Sequence, residues 1–131
     1  MHSQSWHCSP NLDYKNGSFN MDHLHPADAF KKRNLTKSRV QIEDMDFYGD
    51  AANWNSILNL GLLDANENRS KRDTDLATWV SKEANRQKIS PAKFCSDRLL
   101  PDPSLLTFAH FKEFTTRRRT IVGAKLRTLL Q

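Results

Sequence analysis

The chain has 131 residues, a length typical of one domain, and its 37% of hydrophobic residues allow a small core beneath a largely polar surface. No apolar run is long enough to cross a bilayer, and residues 1–6 lack the basic and apolar regions of a signal peptide, so we expect a cytoplasmic protein with no membrane partner. Cys8 and Cys95 lie far apart, which argues against a disulfide framework or a zinc knuckle, and the formal net charge of +5 fits a polyanionic partner.

The first predicted strand begins near Ser18, after an irregular lead-in at residues 1–17. The lead-in is rich in Ser, Asn and His and shows little periodicity. From Ser18 onward, Phe19 and Met21 alternate with polar residues, so we predict that both face the core.

Pro26 is predicted to end this strand at residue 24 or 25, because proline has no N–H to donate and restricts the residue before it. The end of the strand matters for Asp22 and His23. Neighbouring side chains of a regular strand point to opposite faces and would not act on one substrate. We therefore expect the strand to break at this point.

A short helix is predicted over residues 27–33, with Phe30 facing inward, since Pro26 fits the first turn of a helix. Residues 34–50 are polar and charged, so we interpret them as a long insertion with a short strand around residues 40–42.

The second half of the candidate site lies between residues 50 and 71. Asp50 is suited to cap a helix of about two turns, and Asn59 opens a second, apolar strand over residues 60–63. Asp64 is suited to cap the helix that follows, which carries Asn68.

The remainder of the chain is predicted to be helical. A cap at residue 73 or 74 begins one helix, Ser90 and Pro91 begin a second, and a third covers residues 107–129. Arg118 falls inside the apolar stripe of the third helix and requires an anion, for which we favour an internal carboxylate over a substrate phosphate. The apolar stripe of the first helix consists of Leu76, Trp79, Val80 and Ala84.

Two stretches carry the chemistry: Asp22-His23 followed by Pro26, and Asn-Leu-Gly-Leu-Leu-Asp-Ala-Asn-Glu-Asn-Arg-Ser-Lys at residues 59–71. Their combination resembles the HNH motif of the ββα-metal endonucleases. The second stretch is similar to the HNH module at the C-terminus of bacterial GmrSD-type restriction and phage-defence proteins, and to the HNH domain of CRISPR effector nucleases.

The resemblance covers residues 18–131 and implies a single HNH nuclease domain. Its fold would be α+β and mostly helical, with a hairpin-like sheet of two strands. The ββα-metal core would occupy residues 18–72 and the helical support residues 73–131.

The matching positions imply four roles in a metal-dependent hydrolysis of DNA. Asp22 and Asn68 offer hard oxygen ligands for Mg²⁺ or Mn²⁺, with waters and the phosphate completing the octahedron. His23 would be the general base, because an imidazole can take a proton from water near neutral pH. Asn59 can donate and accept at once, so it would hydrogen-bond the backbone around His23 and fix that base.

Expectations for five further residues complete the site. The His25 side chain is expected to hydrogen-bond a residue that holds the metal, without contacting the metal itself. Asn66 is expected to face solvent. Arg69, Lys71 and Arg118 are the cations expected to contact nucleic acid, although a solvated helix face is an equally good interpretation for Arg69.

Other interpretations stay open at this stage. An Asp-His pair before a proline is often a turn, and Asn-rich segments often cap helices. A catalytically silent nucleic-acid-binding or protein-docking module would keep the same fold, and RNA is a second candidate substrate. None of the four glycines forms a phosphate-binding loop, so a nucleotide-hydrolysing activity would belong to a separate domain or subunit.

Overall fold

The computed structural model describes residues 19–131, so the predicted lead-in, Ser18 and Cys8 lie outside the described residues. Within that range the protein is mostly helical, with one antiparallel sheet of two strands. This confirms the α+β class.

The strands and α-helices follow one another in a simple order. They are β1 (Phe19–His23), α1 (Lys32–Lys37), α2 (Met45–Gly49), α3 (Ala51–Trp54), β2 (Leu60–Asp64), α4 (Ala65–Lys71), α5 (Leu76–Gln87), α6 (Pro91–Asp97) and α7 (Phe111–Leu130). Short 3₁₀ turns connect them at Ala27–Phe30, Ile42–Asp44, Ile57–Asn59, Pro103–Leu105 and Phe108–His110.

The register of the sheet shows which of its faces is buried. Asn20 pairs with Leu63 and Met21 pairs with Leu62. Leu63 is only 2% exposed, whereas Met21 is 57% exposed, so the prediction that Met21 faces the core is wrong. Met21 and Leu62 instead line an apolar groove beside the C-terminal half of α7.

The segment between the strands differs most from expectation. The predicted helix 27–33 is a 3₁₀ turn followed by α1, although Phe30 is buried as predicted. Residues 40–42 form no strand, and the segment expected to be a polar insertion contributes Tyr48 to the core at 1% exposure. The Tyr48 hydroxyl lies 2.8 Å from the carbonyl oxygen of Phe108 and accepts the N–H of Phe111 at 3.2 Å.

The helix caps follow the sequence closely. The Asp64 side chain accepts the N–H of Glu67 at 2.8 Å, and the Glu67 side chain accepts the N–H of Asp64, which is a complete capping box. Ser90 caps α6, and Asp75, one residue beyond the predicted cap, caps α5. The predicted stripe of α5 is buried: Leu76, Trp79, Val80 and Ala84.

Arg118 of α7 bonds the main chain of two distant segments. It is 6% exposed, and its guanidinium donates to the carbonyl oxygens of Leu60 and Leu99, each at 2.6 Å. These two N–H groups meet neutral main-chain acceptors. Arg118 therefore ties α7 to the start of β2 and has little surface to offer to nucleic acid.

Two smaller observations complete the fold. None of the helices in residues 19–131 has the length and apolar character needed to span a membrane. Cys95 is a free, buried thiol in α6, and burial raises its pKa to about 11.

Gly61 occupies a position in β2 where a side chain does not fit. An added Cβ would lie 2.7 Å from the Leu24 Cδ2 atom, which is itself buried. A Cβ atom added to Gly123 of α7 would have an Arg127 nitrogen as its nearest neighbour, at 3.6 Å.

We expect these two glycines to respond oppositely to alanine. Gly61→Ala should lower the free energy of unfolding by about 1–3 kcal/mol through overpacking. Gly123→Ala should raise it by about 0.5–1 kcal/mol, because a helix interior favours alanine over glycine. Urea denaturation measures both, and equal changes in the two variants would contradict the packing around Gly61.

Candidate active site

Asn59 joins the two halves of the candidate site. Its side chain is fully buried; the oxygen accepts the N–H of His25 at 2.8 Å, and the amide nitrogen donates to the carbonyl oxygen of His25 at 3.0 Å. The same nitrogen lies 2.9 Å from the carbonyl oxygen of Trp54, and the Asn59 carbonyl accepts the N–H of Leu24 at 2.8 Å. The end of β1 and the end of α3 are therefore held by one residue.

The local sequence explains why the Asn59 side chain points into the protein. Asp50 caps α3 by accepting the N–H of Ala52 at 2.9 Å, and α3 ends at Trp54. Ser56 then accepts the N–H of Leu58 at 3.2 Å and caps the 3₁₀ turn that contains Asn59. These two short caps fix the path of the chain immediately before β2.

His23 lies at the end of β1, beside the end of α3. Its Nε2 atom is 2.9 Å from the Oδ1 atom of Asn55, and its ring centroid is 5.7 Å from that of Trp54. The imidazole is half-buried, so one side remains open to solvent. The sequence analysis did not identify Asn55 or Trp54 as part of the site, because an Asn-Trp-Asn run after a helix cap carries no recognisable motif.

Asp22 precedes His23 but lies on the other face of the strand. β1 continues through His23, so the break that we expected to bring these side chains to one face does not occur before His23. Asp22 shares a face with its partner Gly61, and its negative charge acts on Lys71 of α4. Asp22 and His23 therefore leave the strand end in opposite directions.

Asn68 is carried by α4, which packs against both strands. The Asp22 and Asn68 side chains are both half-buried, and among residues 19–131 neither makes a side-chain hydrogen bond. Asn66, on the same helix, is exposed as expected and accepts a hydrogen bond from Arg69 at 2.5 Å.

Lys71 points into the protein, so it does not present its ammonium to a phosphate as predicted. Its side chain is fully buried, and its Nζ atom lies 6.0 Å from the Trp79 ring centroid, with no hydrogen-bond partner among the described residues. Burial lowers the pKa of Lys71 to about 8, against the opposing effect of Asp22 and two further aspartates.

His25 does not make the hydrogen bond that we predicted for its side chain. The ring is 1% exposed and its Nε2 atom has no hydrogen-bond partner in the described part of the chain. Three phenylalanines meet it edge-on, at centroid distances of 6.1 Å, 5.3 Å and 4.7 Å; these are Phe108, Phe111 and Phe114. His25 serves the site through its main chain, which Asn59 holds.

The side chains near β1 and α4 suit a hard cation with few protein ligands. Residues 19–131 contain no cluster of three or more His, Cys, Asp or Glu side chains that could enclose a metal. Asp22 and Asn68 offer one carboxylate and one amide oxygen that form no hydrogen bonds within residues 19–131. Oxygen ligands of these two types suit Mg²⁺, which keeps several waters and binds through one or two protein oxygens, and they do not suit structural zinc.

No protein-family model matches this chain, and no curated protein matches it significantly. The roles of these residues therefore rest on their chemistry and geometry.

The lowered pKa of His25 predicts that the folded protein loses stability at acidic pH. Burial, with a smaller effect of the Lys71 charge, lowers it from 6.5 to about 3 in the folded protein. Between these values the unfolded chain binds the proton and the folded one does not, so stability should fall as pH falls from about 6.5 towards 3. The contribution of His25 to the free energy of unfolding changes by up to about 1.4 kcal/mol per pH unit.

His25→Leu removes this titration and keeps an apolar side chain against the three phenylalanines. We expect the free energy of unfolding of the variant to depend less on pH than that of the wild type over this range. Denaturant titrations at half-unit pH steps measure the difference, and parallel curves for the two proteins would contradict the buried, neutral imidazole.

Proposed function

We propose that this protein is a metal-dependent endonuclease of the HNH (ββα-metal) type that hydrolyses DNA phosphodiester bonds. The observation that carries the proposal is the Asn59 clamp, which holds the strand end bearing Asp22 and His23 against the residues that contact the imidazole. By the resemblance described above, its biological role would be restriction or phage defence in the cytoplasm.

His23 would act as the general base. An amide oxygen can only accept, so the contact with the Asn55 oxygen requires the proton to be on Nε2 and leaves Nδ1 as the basic nitrogen. Nδ1 would take a proton from water while the water oxygen bonds to phosphorus. The bond from phosphorus to the leaving sugar oxygen breaks, and that oxygen is protonated by solvent.

Asp22 and Asn68 would hold Mg²⁺ or Mn²⁺ beside the phosphate. A bound cation of this kind stabilises the charge that develops on the phosphate oxygens. Asp22 and His23 point to opposite faces, but their Cα atoms are about 3.8 Å apart. The proposal therefore requires the phosphate to lie across the end of β1, where the strand stops at His23, with the cation on one side and the imidazole on the other.

One observation favours a second candidate, a catalytically silent module that binds nucleic acid or docks to a protein. The buried Lys71 ammonium already supplies positive charge next to the Asp22 carboxylate. In such a module, DNA binding or partner binding would be independent of divalent ions and would survive loss of the imidazole.

Nicking of a supercoiled plasmid separates these candidates. We expect the wild type to nick in Mg²⁺ and not in EDTA, and His23→Ala to lower the rate by roughly 10²–10⁴, the usual contribution of a general base. His110→Ala is the matched control, because that imidazole bonds Thr107 near the start of α7.

The control should nick at the wild-type rate, and all three proteins should bind DNA alike in EDTA. Wild-type protein that leaves the plasmid intact in Mg²⁺ at high concentration, while still binding DNA, would favour the silent module. Undiminished nicking by His23→Ala would rule out His23 as the base.

A further inference from the structure

The cations that the sequence suggested for nucleic-acid binding are mostly unavailable. Lys71 is fully buried, Arg118 is 6% exposed, and the exposed Arg69 is hydrogen-bonded to Asn66. A protein that binds a DNA backbone needs several solvent-facing cations, because phosphate contacts provide most of its affinity. The main contact surface therefore lies elsewhere.

Residues 31–39, Lys-Lys-Arg-Asn-Leu-Thr-Lys-Ser-Arg, contain five cations and no acidic residue; we call them the basic segment. All five cationic side chains are exposed. Within the described chain, the ion pair of the segment joins Lys31 to Asp28 at 2.7 Å, with both side chains more than half exposed. An exposed pair of this kind is weak and is readily exchanged for a phosphate contact.

The basic segment begins directly after Phe30, a residue that is connected to His23 through ring contacts. Phe30, immediately before it, is 3% exposed and stacks on Trp54 at 5.7 Å and 13°. Trp54 in turn lies 5.7 Å from the His23 ring. Two ring contacts thus connect Phe30 to the candidate base, so their centroids are at most about 11 Å apart.

The segment also has an ordered backbone. Leu35 is 4% exposed and anchors α1 in the core, and the Asn34 amide donates to the carbonyl oxygen of Asp28 at 2.6 Å. The neighbouring acidic stretch does not neutralise it fully, because Asp44 pairs with Lys112 and Asp50 caps α3. Three of the five cations are therefore presented to solvent from an anchored helix, and Lys31 and Arg39 flank that helix.

We propose that the basic segment is a docking surface for the phosphate backbone of duplex DNA. Duplex DNA carries one charge per roughly 1.7 Å of its axis, so a span of about 11 Å presents around six charges. The proposal requires a duplex with one phosphate at His23 to run past Phe30 to Lys32 and Arg33, the first two residues of α1. The inference deepens the proposed function, on which the position of the scissile phosphate rests.

The test is the salt dependence of DNA binding in EDTA, where no cleavage can occur. We expect Lys32→Gln/Arg33→Gln to reduce the slope of log affinity against log salt concentration by about 2, since each phosphate contact contributes about 0.9. Affinity at low salt should fall at least tenfold. Lys82→Gln/Lys88→Gln, with the same loss of charge at exposed positions of α5 and its cap, is the matched control and should change the slope little.

Fluorescence anisotropy of a labelled duplex measures both variants, and circular dichroism verifies that they fold. Equal slopes in the two double variants would overturn the proposal. It would also be overturned if Lys32→Gln/Arg33→Gln weakened binding to anionic lipid vesicles and left DNA binding unchanged. The outcome is independent of the nuclease proposal: a reduced slope in a protein that never nicks DNA would support the docking surface and refute the enzyme.

Discussion

The structure depends on the hydrogen bonds of one buried amide, that of Asn59. Its side chain satisfies both main-chain groups of His25 and also reaches the carbonyl oxygen of Trp54. Each of these groups would otherwise be buried without a partner, at a cost of about 1–3 kcal/mol. An amide is required because the position needs an acceptor and donors together, and an aspartate or a leucine offers only one of these or neither.

This clamp explains why residues from distant parts of the chain meet. His23 belongs to β1, whereas Trp54 ends α3 and Asn55 follows it, more than thirty residues later. Besides the bonds of the Asn59 side chain, two further hydrogen bonds join these chain ends: one from His23 to Asn55, and one from the Leu24 N–H to the carbonyl oxygen of residue 59. The position of Asn68 depends on the same arrangement, because α4 begins directly after β2, and β2 begins directly after Asn59.

The sequence predicts best where the determinant is local. Asp64, Ser90 and the apolar stripe of α5 act through caps and helical spacing, so their placement could be read directly from the residues. The start of β2 was also predictable, because a short apolar run between an Asn and a capping Asp has few alternatives. Asn59 was expected to hold backbone near His23, and the structure places its bonds two residues later, at His25.

The failures arise where packing between distant elements decides the outcome. Met21 alternates like a core residue, but α4 covers the opposite face of the strand. Tyr48 is a single aromatic residue in a polar stretch, and its burial depends on acceptors at the start of α7. Lys71 and Arg118 have the charge of DNA-binding residues, yet one lies beside Trp79 and the other bonds two carbonyl groups. Five of the exposed cations are grouped in the basic segment.

We propose that Asp22 and Asn68 share one divalent cation next to His23. Titration of ¹⁵N-labelled protein with Mn²⁺ tests it directly, because a bound paramagnetic ion broadens the amide signals nearest to it. We expect the signals of Asp22, His23 and Asn68 to disappear first and together, at substoichiometric Mn²⁺, and to return when Mg²⁺ is added in excess. Earlier broadening in the acidic stretch at residues 43–50, with these three signals unchanged, would contradict the account.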